Sequence, residues 1–132
     1  MKLFVVLCML FMHIVDDYYL QGILAKMKQK KWWEDQPGFK NLYKYDYIIA
    51  LIEHAFSWSF CVHIPLVIYL IYTNQINVYW IPLFMSILVN TEYHAIIDNE
   101  KANEGKINLI MDQSFHFIQI IITAILFFLL RW

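Results

Sequence analysis

Charge, glycine and proline are all scarce in this chain of 132 residues. Charged residues make up 16% of it, against about 25% in soluble domains. That scarcity excludes a disordered chain, which needs abundant charge and few apolar residues. Three Gly and three Pro exclude flexible linkers, collagen-type repeats and loop-rich folds. The two cysteines, Cys8 and Cys61, each lie inside an apolar run, so they read as buried thiols rather than a disulfide or a metal knuckle. A net charge of −1 gives no basic footprint for nucleic acid. What is present instead is apolar: 61% of residues, against about 45–50% in soluble globular chains. A single domain of this length lacks the interior volume to hide that surface, so the excess faces lipid, and a water-soluble monomeric enzyme is disfavoured.

Four segments are long and apolar enough, or nearly so, to cross about 30 Å of hydrocarbon as helices of roughly 20 residues. They cover residues 3–25, 47–72, 78–97 and 107–130. Pro65 is a tolerated kink in the second, and Pro82 falls near the first turn of the third. The runs are too long for barrel strands and do not alternate. The expected fold is therefore all-α: a single integral-membrane domain, a polytopic four-transmembrane-helix bundle. A cleaved signal peptide is the rival reading of the N-terminus. No small-x-small site follows the apolar core, and His13, Asp16 and Asp17 come next, so cleavage is not expected.

Lysine placement sets the expected orientation. Of the ten Lys and Arg, six (Lys26, Lys28, Lys30, Lys31, Lys40, Lys44) lie between spans one and two, and two (Lys101, Lys106) between spans three and four. Only Lys2 and Arg131 lie on the other side. Both lysine-bearing loops are thus expected in the cytoplasm and both termini outside, in an inner (cytoplasmic) membrane. Trp32, Trp33, Tyr43 and Tyr45 on one side, and Tyr72, Tyr79, Trp80 and Trp132 on the other, suit the two aromatic belts. The first loop, with Trp32, Trp33 and Phe39 among its lysines, reads as a cytoplasmic interfacial segment on anionic lipid head groups, or as a solvated loop with two anchoring tryptophans.

Polar residues interrupt all four spans. Span one carries His13 and Asp17, with Gln21 four residues on; span two carries Glu53, His54, Ser57 and Trp58. Span three carries Asn90, His94 and Asp98, and span four carries Asp112, His116 and Gln119. Side chains at i and i+4 share a helix face, so three helices each present a His–carboxylate stripe. The orientation from lysines brings His13, Asp17, His54, His94, Asp98, Asp112 and His116 to one level near the cytoplasmic side. Ionised groups near the bilayer centre cost about 2.5–3.5 kcal/mol each, so seven unpaired ones would cost on the order of 10–20 kcal/mol. They must face inward and satisfy each other, water or an ion. Histidine and carboxylate together are the usual ligands of catalytic Zn²⁺ and also serve Mn²⁺ or Fe²⁺. A hydrogen-bonded network that only specifies packing, and a proton or ion path, are the two plain alternatives. Glu53 points away from His54 and is expected to reach water; Asp16 is expected at the interface. His63 lies too deep to join the set, Trp58 reads as packing, and Ser57 has no partners at triad spacing.

The stretch His13-Ile-Val-Asp-Asp17 through Gln21-Gly22, with Lys28-Gln29, Trp32-Trp33 and Tyr45-Asp46, resembles a family of small polytopic membrane proteins from bacteria and phages, domain of unknown function 3307. The resemblance continues through His54–Trp58, His94–Asn103 and Ile107–His116, covering nearly the whole chain. It implies a helical integral membrane protein with these polar residues as signature, and no particular reaction.

The expected function is a membrane-embedded metal-dependent hydrolase acting on a lipid or lipid-linked phosphate at the cytoplasmic leaflet. One or two divalent ions would be held by the seven residues, with Asp17 or Asp112 as general base. Gln21, Lys28, Lys101 and Gln113 would bind substrate, Lys28 and Lys101 meeting an anionic head group. The alternatives are a small proton or divalent-ion transporter or channel, homo-oligomeric, and a non-catalytic phage factor that binds a host membrane protein.

Overall fold

A computed structural model describes residues 1–38 and 42–129. Phe39 and Lys40 of the lysine-rich loop, Leu130 of the last span, and Arg131 and Trp132 lie outside the described residues. The fold is all-helical, with no strand among the described residues: α1 (Lys2–Val15), a π-helical turn (Asp16–Leu20), α2 (Leu24–Met27), α3 (Lys30–Glu34), α4 (Asp46–Tyr72), α5 (Ile76–Ala102) and α6 (Leu109–Leu129). The four long helices pack in a ring, α1 on α4, α4 on α5, α5 on α6 and α6 back on α1.

Three helices are long and apolar enough to cross a membrane: Lys2–Leu20, which joins α1 to the π turn, Asp46–Tyr72 and Leu109–Leu129. The fourth expected span, α5, is long enough but less apolar, because Asn77, Asn90, Thr91 and Glu92 dilute its run. The first helix stops sooner than expected. Gly22 adopts φ +50°, a left-handed conformation open to glycine, and the chain turns there into α2. α5 starts two residues earlier than expected, so Pro82 lies in its second turn rather than its first.

The ends of the long helices are closed by local chemistry. At the end of α4, the Gln75 N–H bonds the Leu70 carbonyl and the Asn74 N–H bonds that of Ile71, with Asn74 at φ +56°. This is a Schellman turn with asparagine in the left-handed position, and it reverses the chain into α5. Asn108 starts α6 by accepting from the Met111 N–H through Oδ1 at 2.9 Å. Lys2 Nζ donates to the Phe128 carbonyl at 2.9 Å, tying the start of α1 to the C-terminal turn of α6.

The interior divides along its length. One end is apolar, built from Val5, Met9, Val62, Leu66, Leu70, Leu83 and Phe127. The outward faces of the same helices carry exposed Leu, Ile and Phe, as expected where lipid is the solvent. The other end holds the polar residues. The linker over that end is folded rather than loose: α2 and α3 pack on α4, and Trp33 is buried with its indole N–H on the Met27 carbonyl at 2.6 Å.

Candidate metal centre

The polar residues lie where α1 and α5 end and where α4 and α6 begin, so an antiparallel ring brings them to one level. All seven histidines and carboxylates singled out from spacing are buried there. The π turn adds an eighth. In a regular helix Asp16 would face about 100° from Asp17. Here the Gln21 N–H reaches back five residues to the Asp16 carbonyl, the chain turns less per residue, and both aspartates point inward. Asp16 is fully buried and accepts from Ser57 Oγ at 2.8 Å, so it is not the interfacial residue expected from α-helical spacing.

His54 Nε2 is the hub of the cluster. It lies 3.4 Å from Asp17 Oδ1, 3.2 Å from Asp98 Oδ2 and 3.3 Å from His94 Nε2, while His94 Nε2 is 3.7 Å from Asp98 Oδ2. Ligands held about 2.0–2.2 Å from a tetrahedral ion stand roughly 3.3–3.6 Å apart, so these donors are already near the edges of such a shell. Beside it is a second group. Asp98 Oδ1 lies 3.4 Å from His116 Nε2, which is 3.4 Å from Asp112 Oδ1. Asp17, His54 and His94 offer donor atoms within 4.8 Å of one another, as do His94, Asp98 and His116. The Asp98 carboxylate therefore sits between the two groups with one oxygen toward each.

Several donors in the cluster have no hydrogen-bond partner among the described residues: both His116 nitrogens, Asp112 Oδ1, and Nδ1 of His54 and of His94. Buried polar atoms are nearly always satisfied, so such a concentration in one place points to a ligand. Charge points the same way. Asp16, Asp17, Asp98 and Asp112 are buried together, and the ammonium groups paired with them are Lys28 on Asp98 Oδ2 and Lys101 on Asp112 Oδ2, each at 2.6 Å. With neutral imidazoles, two negative charges remain, matching one divalent cation. Lys101 lies past the apolar part of α5. Burial pulls its pKa down, but the hydrogen bond and charge of Asp112 outweigh that and the net shift is upward, so the ammonium persists.

His13 is drawn into a different arrangement. Trp58 Nε1–H donates to its Nδ1 at 2.7 Å. An indole N–H can only donate, which leaves the His13 proton on Nε2, 3.0 Å from Gln113 Oε1. Gln113 Nε2 in turn donates to Asp17 Oδ2 and to Asp112 Oδ2, each at 3.0 Å. His13 thus lies outside both groups of three and acts through Gln113, which spans the two carboxylates. Trp58 is also more than packing. Its ring stacks on His94 at 4.2 Å, and His94 stacks on His116 at 4.0 Å, fixing the planes of two candidate ligands. Its place four residues after His54, on the same face, was the available sequence signal.

A polar cavity of about 160 Å³ opens over the cluster, lined by Asp17, Gln21, Lys28, Asp98, Lys101 and Gln113 among others. All four residues singled out as substrate-binding thus share one mouth. Gln21 Nε2 donates to the Asp17 carbonyl. Lys28 is placed by a residue that spacing did not reveal. Asn103, just past α5, accepts from the Lys30 N–H through Oδ1 at 2.7 Å and donates to the Lys28 carbonyl through Nδ2 at 3.1 Å. This carboxamide clasp pins the α2–α3 linker over the site.

Glu53 is exposed, as its spacing implied. His63 stands apart, deeper in the bundle: Nδ1–H donates to the Ser59 carbonyl at 2.7 Å, so Nε2 accepts from Ser86 Oγ at 2.9 Å, linking α4 to α5. No protein-family model, curated protein or solved structure matches the chain.

Proposed function

We propose that this chain is a four-span membrane protein, α5 being the fourth span, and a metal-dependent hydrolase of a lipid or lipid-linked phosphate at the leaflet facing its lysine-bearing loops. The observation that carries this reading is the convergence of Asp17, His54, His94 and Asp98 donors at separations of 3.2–3.7 Å, inside a segment where unpaired charge is costly. A bound divalent ion would supply Lewis-acid polarisation of a phosphoryl oxygen and acidify a water toward neutral pH. Zn²⁺, Mn²⁺ and Fe²⁺ all accept this donor set.

The chain's own residues divide the remaining work. Asp17, His54, His94 and Asp98 hold the ion, and His116 holds a second where one binds. Asp112 lies outside both groups of three; Lys101 and Gln113 fix its Oδ2 while Oδ1 has no hydrogen-bond partner among the described residues. It is the base: water oxygen bonds to phosphorus, the P–O bond to the lipid breaks, and Asp112 takes the water proton for return to the leaving oxygen. Lys28 and Lys101, at the mouth, release their carboxylate partners in part to meet the phosphate. Metal analysis of detergent-purified protein tests the reading directly. At least one divalent ion per chain, with thermal stability lowered by chelator, is the expected result. Metal well below one per chain, with stability indifferent to chelator, overturns it.

A second reading, ion or proton movement, has one observation in its favour. Hydrogen bonds run from His63 to Ser86, from Asn90 Nδ2 to Ser86 Oγ at 3.2 Å and from Asn90 Nδ2 to Thr123 Oγ1 at 3.0 Å, carrying polarity into the middle of the bundle. Beyond them the core is Leu66, Leu70, Leu83 and Phe127, an apolar plug. Flux in proteoliposomes that is lost in His63→Ala, without lipid turnover, would favour transport over hydrolysis.

A further inference from the structure

The metal cluster is not the largest hollow in the molecule. Between α5 and α6 runs an open groove of about 690 Å³. Its walls are two i, i+4 ridges, Ile81, Met85, Val89 and Tyr93 on α5 and Ile118 and Ile122 on α6. These side chains are exposed along the outer face, so the groove opens sideways. Its floor is polar but largely spent on itself: Gln119 Nε2 donates to the Asn90 carbonyl at 2.7 Å and Asn90 Nδ2 to Thr123 Oγ1 at 3.0 Å. The floor also joins the site. Asn90 is one turn from His94 on the same face, and Gln119 is three residues past His116. Gln119 Oε1, buried and without a hydrogen-bond partner among the described residues, marks this end of the groove as the one where polar atoms enter.

Two dimensions identify the occupant. From Ile81 to Tyr93 the groove is about 18 Å long at 1.5 Å per residue, giving a mean cross-section of roughly 40 Å². A helix about 10 Å across needs roughly 80 Å², so a helix from a second copy is too thick, whereas an extended hydrocarbon chain fits. Depth then separates one lipid from another. With the apolar part of α5 filling a core of about 30 Å, the groove's far end at Ile81 lies about 25 Å along the helix from Asp98, well past the midplane at about 15 Å. The tails of a diacyl lipid in the same leaflet end near that midplane. We propose that the α5–α6 groove seats the chain of a single-chain polyisoprenyl phosphate, its phosphate at the Lys28–Lys101 mouth and its chain crossing the bilayer centre. This names the substrate class and rests on the hydrolase reading above.

The test separates chain seating from chemistry. Protein in nanodiscs is offered a long polyisoprenyl phosphate, farnesyl phosphate or phosphatidic acid, and lipid retention, phosphate release and metal content are read in parallel. Retention of the long isoprenyl phosphate about tenfold above phosphatidic acid, reduced about tenfold in Val89→Trp and again in Ile122→Phe with metal content unchanged, is expected. Circular dichroism melts show that each variant is folded, and the two sit on opposite walls. Equal retention of the three lipids, retention indifferent to both variants, or a crosslink from Val89→Cys to a second copy overturns the groove's assignment, even if phosphate is released. Selective retention without metal or phosphate release upholds the groove and overturns the hydrolase reading instead.

Discussion

The two ends of this bundle are built on opposite principles. At one end Leu66, Leu70, Leu83 and Phe127 meet through side chains as apolar as the surrounding lipid. Such packing gains dispersion and little from the hydrophobic effect, so it holds helices together without dictating which residue meets which. At the other end, His54, His94, His116 and four aspartates meet through directed contacts from every long helix and from the π turn. There the register is fixed, and each member left alone would be costly. The polar end spends stability on a defined constellation, which is the expected signature of a working site rather than of a structural one.

Substitutions at the two ends sharpen that contrast. The largest effect is expected from His94→Ala, which removes the ring common to both donor groups and the middle of the Trp58–His94–His116 stack. Bound metal, read by plasma mass spectrometry, should fall at least about 100-fold at limiting metal, with activity lost. Asp112→Asn should come next and split the readouts: turnover down about 10²–10⁴-fold while metal content stays near that of the native chain. If metal is lost together with turnover, Asp112 is a ligand and not the base. Trp58→Phe keeps a ring against His94 but deletes the donor to His13 Nδ1. Metal affinity measured with a competing chelator should weaken about tenfold, the lower end of the effect of removing a group that orients ligands. Asn103→Ala frees the linker that holds Lys28, and should raise KM for an anionic lipid about tenfold, equivalent to about 1.4 kcal/mol, with kcat and metal little changed. The smallest functional effect is expected at the apolar end. Leu70→Ala should lower stability by about 1–2 kcal/mol, less than the roughly 2–5 kcal/mol of a soluble core because lipid chains are as apolar as leucine, and should leave metal content alone. A loss of metal in Leu70→Ala would erase the distinction between the ends.

Much of the fold could be read from one-dimensional pattern because a bilayer imposes a length and a polarity on each helix. Residues 47–72 were placed within one residue of α4, and the start of α6 within two. The stripes His94–Asp98 and Asp112–His116 were legible because α5 and α6 are regular where they carry them, and the i, i+4 rule applies. Reading failed where regularity did. The π turn rotates Asp16 inward against the α-helical rule, and Gly22 ends the first helix before Ala25. His13 keeps the predicted face, but Trp58 occupies its Nδ1, a tertiary fact without local signature. Asn103 reaches across more than seventy residues of chain to hold Lys28, which no spacing encodes. Gln113 was placed at the mouth, but not as the link between Asp17 and Asp112.

The π turn has a consequence for how this protein can change. A π-helical turn accommodates one residue more than the α-helix it interrupts, and deleting one residue within Asp16–Leu20 would restore an unbroken helix. The shortened helix would keep its length for the bilayer and its apolar face. Only one of the paired acids would then look inward, and Gly22 with everything after it would swing by about 100°. Fold and activity are thus separable by a single codon: the ancestral or decayed form of such a chain would still insert, still pack, and have nowhere to hold its ion.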